Sequence, residues 1–226
     1  MKTLPDWSAI FARYEALVAE ADALFERVRA SHPDCVICHE GCSDCCHALF
    51  DLTLVEAVYI NKRFEENFPQ GAERSAVLEA AGVADRKTHI LKRKAFTATQ
   101  AGQDADAVVM AIGRERIRCP LLNSMNRCLL YAFRPITCRL YGIPAAIGGK
   151  GHTCGTSAFM PGKQYPTVNT DAMTRRLVAL SLETAQLAQS PYIELHTILV
   201  PLSMALMTEY DGAYFGLDAR RGKQRD

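Results

Sequence analysis

Residues 35–46 read Cys35-Val-Ile-Cys-His-Glu-Gly-Cys-Ser-Asp-Cys-Cys46, the densest group of cysteines in the chain. It holds five of the nine cysteines, spaced C-x2-C-x3-C-x2-C-C. Thiols placed this closely along a chain either cross-link it or hold a metal. Because an odd number of cysteines fits disulfide pairing poorly, the spacing predicts metal binding through sulfur.

A β-hairpin is predicted where two of the later cysteines lie. Apolar runs that contain Cys119 and Cys128 flank the polar segment Asn123-Ser-Met-Asn126, a pattern typical of a hairpin. If the loop is centred between Asn123 and Ser124, the two cysteines lie directly opposite each other. Their Cβ atoms would then be roughly 5 Å apart on one face, so both thiolates could reach one metal centre.

Every cysteine is a candidate metal ligand, and two arginines are candidate cofactor-binding residues. Arg134 and Arg139 lie beside the later cysteines, where guanidinium groups would compensate the negative charge of a metal–thiolate centre. His39, His47 and His152 also neighbour cysteines, but we expect them outside the coordination sphere because thiolates already meet the need. No catalytic residue can be assigned. The candidate metal ligands are Cys35, Cys38, Cys42, Cys45, Cys46, Cys119, Cys128, Cys138 and Cys154.

The number and softness of these ligands bear on the metal. A structural zinc site takes four ligands, usually from two C-x2-C pairs, and residues 35–45 could supply those alone. The remaining cysteines would then have no role. Iron–sulfur clusters occupy a larger volume, so adjacent Cys45 and Cys46 can serve different irons, and eight cysteines would suffice for two clusters. We therefore favour one or two 4Fe-4S clusters, with zinc as the alternative and a redox thiol or disulfide set as a third interpretation.

The composition is that of a globular protein with a real core. Of 226 residues, 49% are hydrophobic and 23% charged, and the net charge is +1. Such a charge gives no strong nucleic-acid signal and no general attraction to membranes, and the longest uncharged run, residues 195–208, is too short to span a bilayer. The N-terminus lacks the apolar region of a signal peptide. We expect a cytoplasmic protein, where thiols stay reduced; a protein partner or substrate is left open.

Apolar periodicity predicts helices along most of the chain. One is expected from about residue 6 to 32, another from the capping box Thr53-Leu-Val-Glu56 to about Asn67, and a long one over 72–99. The segment from about 170 to 210 is also predicted as helical, with its last helix between Ile193 and about Tyr210. A second tight hairpin is predicted within Ala145 to Thr153, with its loop at Gly148-Gly149. We thus predict one domain over residues 1–226, mainly α with one or two small β-hairpins around a metal-binding core at 35–155.

The combined pattern resembles the YkgJ-type cysteine-cluster family, which is described as zinc- or iron-chelating. The resemblance covers roughly residues 35–155. The family opening is commonly C-x2-C-x2-C-C, whereas this chain has one extra residue before Cys42, and Cys35 is additional to the core pattern. The motifs that carry the resemblance are Cys38-x3-Cys42-x2-Cys45-Cys46, Cys119-Pro-Leu-Leu and Cys128-x2-Tyr131-x2-Arg134-Pro135-x2-Cys138-Arg139.

The cysteine box is also similar to that of flagellin lysine N-methylases, which are longer chains associated with an iron–sulfur cluster and methyl transfer. This resemblance implies a cluster that supports methyl or electron transfer, with one iron left open. The alternative is a zinc-stabilised adaptor or metal carrier without catalytic activity. The spacing Cys38-x3-Cys42-x2-Cys45 also occurs in radical-SAM enzymes, but their barrel needs alternating strands and helices that this pattern does not predict.

Overall fold

The computed structural model describes residues 4–217, and its architecture is mainly helical. Helices account for 54% and strands for 8%, which confirms the predicted fold class. The helices are α1 (Ser8–Ser31), α2 (Leu54–Asn67), α3 (Ala72–Gln100), α4 (Ala105–Gly113), α5 (Ile136–Leu140), α6 (Thr170–Leu187) and α7 (Leu202–Met207), and the strands are β1 (Asp51–Thr53), β2 (Ala145–Ile147), β3 (Lys150–His152), β4 (Val168–Asn169) and β5 (Leu199–Pro201).

Helix α2 lies at the centre of the core. Residues 52–61 are all buried, and α2 contacts α1, α6 and α7. The apolar face of α1 buries Phe11, Tyr14 and Leu17, and the rings of Phe11 and Tyr14 pack on Tyr59 of α2. Burying a large apolar side chain contributes about 1.5–3 kcal/mol, so this contact holds the N-terminal helix firmly against the rest of the fold.

A buried carboxylate joins the start of α2 to the start of α5. The predicted capping box is confirmed: Oε2 of Glu56 accepts hydrogen bonds from the backbone N–H and the hydroxyl of Thr53, at 3.2 and 3.0 Å. Oε1 of the same carboxylate accepts the backbone N–H of Ile136, at 3.2 Å. Glu56 therefore fixes both helix starts, and α5 carries Cys138.

Two small sheets complete the fold. Strands β2 and β3 form the hairpin predicted around Gly148-Gly149, where both glycines have positive φ, a conformation that glycine adopts at little cost. Strand β4 pairs with β2 in parallel. Strand β1 pairs antiparallel with β5, with Leu52 opposite Val200.

The prediction of a helix from Ile193 to about Tyr210 is wrong. That segment contains a 3-10 turn at Leu195–Thr197, strand β5 and the short helix α7. Pro201 is the physical reason, because proline cannot continue a helix through its own position and pushes the preceding residue into an extended conformation. Residues 199–201 therefore pair with β1, and Pro201 becomes the N-cap of α7.

Within the part of the chain that the structure describes, no helix combines the length and the apolar character needed to cross a membrane.

Candidate metal centre

The cysteine stretch folds as a series of tight turns. Backbone hydrogen bonds run from Cys42 N to His39 O at 3.0 Å and from Cys46 N to Ser43 O at 3.0 Å. Gly41 has φ +88°, and a 3-10 turn follows at Asp44–His47. Turns of this kind bring residues three positions apart onto one side, so the thiols of this stretch reach common cavities.

A second segment docks on the end of this stretch. The backbone N–H of Cys119 donates to the carbonyl of Cys46 at 2.7 Å, and that of Ile117 donates to His47 at 3.0 Å. Ala48 and Arg116 form an antiparallel bridge. These contacts join residues about 70 positions apart and bring Cys119 beside the N-terminal cysteines; no local sequence signal could have revealed them.

The predicted register of the hairpin at Cys119 and Cys128 is wrong. Cys128 bridges to Leu122 rather than lying opposite Cys119, and Leu129 N donates to Leu121 O at 2.8 Å. Leu122 N donates to Cys119 O at 3.1 Å, so the first arm turns at Pro120 instead of continuing as a strand. Proline favours such a turn, which displaces Cys119 from the ladder, yet both cysteines line one cavity.

Eight cysteines line adjoining cavities, which we name by their walls. The apolar chamber has a volume of about 60 Å³ and is walled by aliphatic and aromatic side chains such as Phe50, Leu121 and Leu130. That volume holds several water-sized groups. Its cysteines are Cys45, Cys46, Cys119, Cys128 and Cys138.

The polar chamber has a volume of about 300 Å³, and its wall includes Asp22, Glu26 and Asp44. Cys45 and Cys138 lie in the walls of both chambers. A third cavity of about 420 Å³, which we call the mouth, opens beside Cys45, Tyr131 and Arg134. The cysteines of the polar chamber are Cys38, Cys42, Cys45, Cys138 and Cys154.

Cys35 is placed differently from the other eight. It packs against the hydrophobic core, and its backbone is bonded to His32 and Ala158. Neither chamber nor the mouth has Cys35 in its wall. All nine cysteines are free thiols.

Burial raises the pKa of several chamber thiols. Burial is the largest cause that raises the pKa of Cys38 to about 11, followed by the neighbouring thiols of Cys42 and Cys154. Burial also raises the pKa of Cys119 to about 12 and that of Cys138 well above the ordinary range. Because the thiolate is the form that binds metal, metal uptake must displace these protons.

The two predicted arginines have different surroundings. Arg134 lines both chambers and the mouth, with its guanidinium carbon 3.7 Å from the ring centroid of Tyr131. Arg139 is 9% exposed and donates to Asp22 at 2.6 Å, to Arg134 O at 2.8 Å and to Ala132 O at 2.5 Å. Arg134 thus offers its charge to the thiols. Arg139 also lines the polar chamber, but its hydrogen bonds fasten α5 to α1.

An ionic network that sequence reasoning missed surrounds Cys154. The Cys154 thiol donates to Asp44 Oδ2 at 3.2 Å. Arg116 pairs with the Asp44 carboxylate and donates to its backbone carbonyl at 2.9 Å, and the Tyr141 hydroxyl is 3.4 Å from Arg116. These contacts hold Asp44, the residue before Cys45, beside Cys154.

Close packing at Gly142 positions Cys38. A Cβ atom placed on Gly142 would overlap the Sγ of Cys38 and come within 3.2 Å of the Phe25 ring. Only glycine therefore lets this backbone approach the thiol. The neighbouring histidines point their ring nitrogens at backbone carbonyls, His39 Nδ1 at Glu40 O and His47 Nδ1 at Ser43 O, at 2.8 and 2.9 Å.

The candidate metal ligands of the two chambers are soft thiols, a ligand type that suits zinc and iron–sulfur clusters. Over residues 4–217, no three or more Cys, His, Asp and Glu side chains are gathered as a ready-made site for a metal ion. The thiols instead line the chambers at separate points of their walls.

A family model named CxxCxxCC matches residues 37–155, rather more than half of the chain, and its description is "Putative zinc- or iron-chelating domain". The match spans all eight cysteines of the chambers. A comparison with curated proteins found no match, and neither did one with solved structures. The predicted membership of a zinc- or iron-chelating cysteine-cluster family is confirmed, while the link to YkgJ and the similarity to flagellin lysine N-methylases stay predictions. By this match, the chain belongs to the CxxCxxCC family.

Proposed function

We propose that the protein binds iron–sulfur clusters of the 4Fe-4S type through the thiolates of the two chambers. One observation carries the proposal: eight of nine cysteines line adjoining cavities that share Cys45 and Cys138. The proposed ligands are therefore these eight, and Cys35, which packs on the core, is left out.

The distribution of the thiols supports a cluster over a single ion. One zinc ion needs four ligands that converge on a point, whereas each chamber has five thiols in its wall. A cluster spreads its irons over a larger volume and is held by cysteine thiolates at separate corners. Vicinal Cys45 and Cys46 both line the apolar chamber, and a cluster lets the two serve different irons.

Charge at the chambers also supports a thiolate-bound cluster. Deprotonating several thiols in a partly buried site is costly unless a cation lies nearby. Arg134 lines both chambers, and Arg118 lines the apolar one. Burial raises the pKa of Cys128, and the charge of Arg134 acts against that rise, so this arginine favours the thiolate that a cluster needs.

For the cluster's role we propose support of methyl or electron transfer. When bound, a cluster would supply or accept electrons. Eight thiolates on two clusters ligate every iron, so an open iron that polarises a ligand requires that one of the eight cysteines stays unligated. Of the eight proposed ligands, Cys38 is exposed and the other seven are half-buried. The mouth leads past Tyr131 and Arg134 to Cys42 and Cys45, so a small substrate could approach from this side while Arg134 orients its polar groups.

Metal and sulfide analysis of anaerobically purified protein tests the proposal. We expect brown protein with iron and inorganic sulfide in similar amounts, because each 4Fe-4S cluster contains both equally. Reconstitution with iron and sulfide should fill any sites lost in purification. Colourless protein with stoichiometric zinc and no sulfide after that treatment would contradict the cluster proposal.

Zinc is the second candidate, favoured by one specific feature. If Cys45 serves the polar chamber, four thiols remain in the apolar chamber, the number a structural zinc site takes: Cys46, Cys119, Cys128 and Cys138. In that case the protein is a zinc-stabilised adaptor or metal carrier. The same analysis distinguishes the two, because zinc binding leaves the protein colourless and free of sulfide.

A further inference from the structure

A fourth cavity lies directly beside both thiol chambers. Its volume is about 440 Å³, and it is enclosed by α5, the β2–β3 hairpin and the first turns of α6. Small-molecule sites typically measure about 300–1,000 Å³. The size is therefore that of a site for a small organic ligand rather than for a few waters.

The wall of this cavity is largely aliphatic and aromatic. It includes Phe50, Ile136, Leu140, Ile143 and Leu177. Ile147, at its rim on β2, is 54% exposed. An apolar ligand entering here would remove these side chains from water, which contributes roughly 25 cal/mol for each Å² of apolar surface buried.

Several polar groups of the wall are already bonded within the protein. Asp171 Oδ2 accepts the backbone N–H of Gly148 at 2.9 Å, and Asp171 lies in the first turn of α6, where the helix dipole stabilises its charge. The Thr170 hydroxyl donates to Ala146 O at 2.6 Å. A ligand is therefore not required to satisfy these atoms.

No lysine or arginine is among the residues that wall this cavity, and its one histidine, His152, is exposed to solvent. An anionic ligand would lose its hydration without gaining a cationic partner, which is strongly unfavourable. The wall thus disfavours a negatively charged ligand, and its one carboxylate, Asp171, is already bonded to Gly148 N–H. The polar chamber and the mouth differ, because Arg134 lies there.

The cavity shares walls with both chambers. Leu49 and Phe50 separate it from the apolar chamber, and Tyr141 and Cys154 separate it from the polar chamber. We propose that this cavity binds an uncharged, mainly apolar small organic molecule, held one side chain away from the metal centre. Ligand binding in this cavity does not depend on a bound metal. Only the proposed contact between the ligand and the metal centre rests on the proposed function.

A fluorescence titration with N-phenyl-1-naphthylamine, an uncharged two-ring probe, tests the site. We expect saturable binding with one probe per chain. 1-Anilinonaphthalene-8-sulfonate has the same rings and a negative charge, so it should bind at least tenfold more weakly. Equal affinity for the two probes would overturn the proposed ligand class.

A matched pair of variants locates the probe. Ala145 lines the cavity, whereas Ala146, the next residue of β2, does not, and successive strand residues face opposite sides. Ala145→Leu should weaken probe binding at least tenfold, and Ala146→Leu should leave it within twofold. Thr174 also lines the cavity, at an exposed position of α6. Thr174→Phe should therefore weaken probe binding as well, and it replaces Ala145→Leu as the test if that variant fails to fold. Wild-type affinity in the folded lining variants would overturn the assignment.

The metal-loaded protein supplies a separate readout. Saturation with the uncharged probe should shift the visible spectrum of the bound metal centre in the wild type but not in Thr174→Phe. An unchanged spectrum despite bound probe would overturn the proposed contact with the centre. If the protein holds no coloured centre, the proposed function fails, while the probe titrations still decide whether the cavity is a ligand site.

Discussion

The two chambers place the same kind of ligand in different surroundings. The apolar chamber is walled by side chains such as Phe50, Leu121 and Leu130. The polar chamber includes Asp22, Glu26 and Asp44 in its wall and the exposed Cys38. Burial disfavours charged thiolates and charged clusters, and solvent exposure is one of the factors that set a cluster's potential. A metal in the apolar chamber should therefore be harder to reach and to remove than one in the polar chamber.

Replacement of Cys45, which lies in the wall shared by the two chambers, should have the largest effect on metal content. Cys45 lines both chambers and the mouth, so Cys45→Ser should lower iron and sulfide per chain about fivefold, since a hydroxyl is a poor replacement for a soft thiolate. Cys35→Ser is the matched control and should keep wild-type metal content. Equal losses in the two variants would remove the distinction between the chamber cysteines and Cys35.

Chamber-specific variants test whether there are two metal positions. Iron release to a chelator should be biphasic in the wild type, with the fast phase from the polar chamber. Cys154→Ser should remove the fast phase, and Cys119→Ser should remove the slow phase. If two clusters are bound, each phase should account for about half of the iron. Single-phase release in every variant would show that the chambers hold one centre.

Removal of Glu56 should weaken both chambers together, because this carboxylate anchors the helix that carries the shared Cys138. Glu56→Ala leaves buried backbone donors without partners and should lower the free energy of unfolding by about 2–4 kcal/mol. Glu66→Ala, at an exposed position of the same helix, should change it by less than about 0.5 kcal/mol. Urea denaturation measures both, and similar costs would contradict the anchoring role.

The same carboxylate predicts a pH dependence. Burial is the largest cause that raises the pKa of Glu56, so folding favours its protonated form. This contribution to stability is complete below the unfolded pKa and is lost as pH rises through the folded pKa. Relative to neutral Glu56→Gln, the wild type should therefore lose stability as pH rises from about 4 upward. Urea denaturation at several pH values checks this, and an opposite slope would contradict it.

The smallest effect is expected at Gly142, which touches only the polar chamber. Gly142→Ala should push Cys38 aside and cost about 1–3 kcal/mol by overpacking; it should accelerate the fast phase of iron release and leave the slow phase unchanged. Gly155→Ala is the control, because a Cβ there meets open space. A change in the slow phase would mean that the two chambers are not independent.

Local signals predicted much of the fold. The capping box Thr53 to Glu56 marked the start of α2, and Gly148-Gly149 marked the β2–β3 turn, because each depends on a few adjacent residues. The segment from Ile193 to about Tyr210 was mispredicted, because a short run of apolar residues is compatible with a strand as well as with a helix. Here Pro201 and the pairing with β1 favour the strand. The hairpin register at Cys128 failed for a similar reason, since Pro120 bends the arm that carries Cys119.

By itself, the sequence determined that the protein has a thiol-rich site. The number and spacing of its nine cysteines can be recognised without knowing which distant residues are in contact. Only the tertiary structure decided which thiols share a cavity. It joined Cys46 to Cys119 by a backbone hydrogen bond and placed Cys35 on the core. The other eight cysteines line an apolar and a polar chamber that share Cys45 and Cys138. Those arrangements depend on contacts between residues far apart in the chain. The burial gained in such contacts must outweigh the entropy lost in closing a long loop, and a local sequence pattern specifies neither quantity.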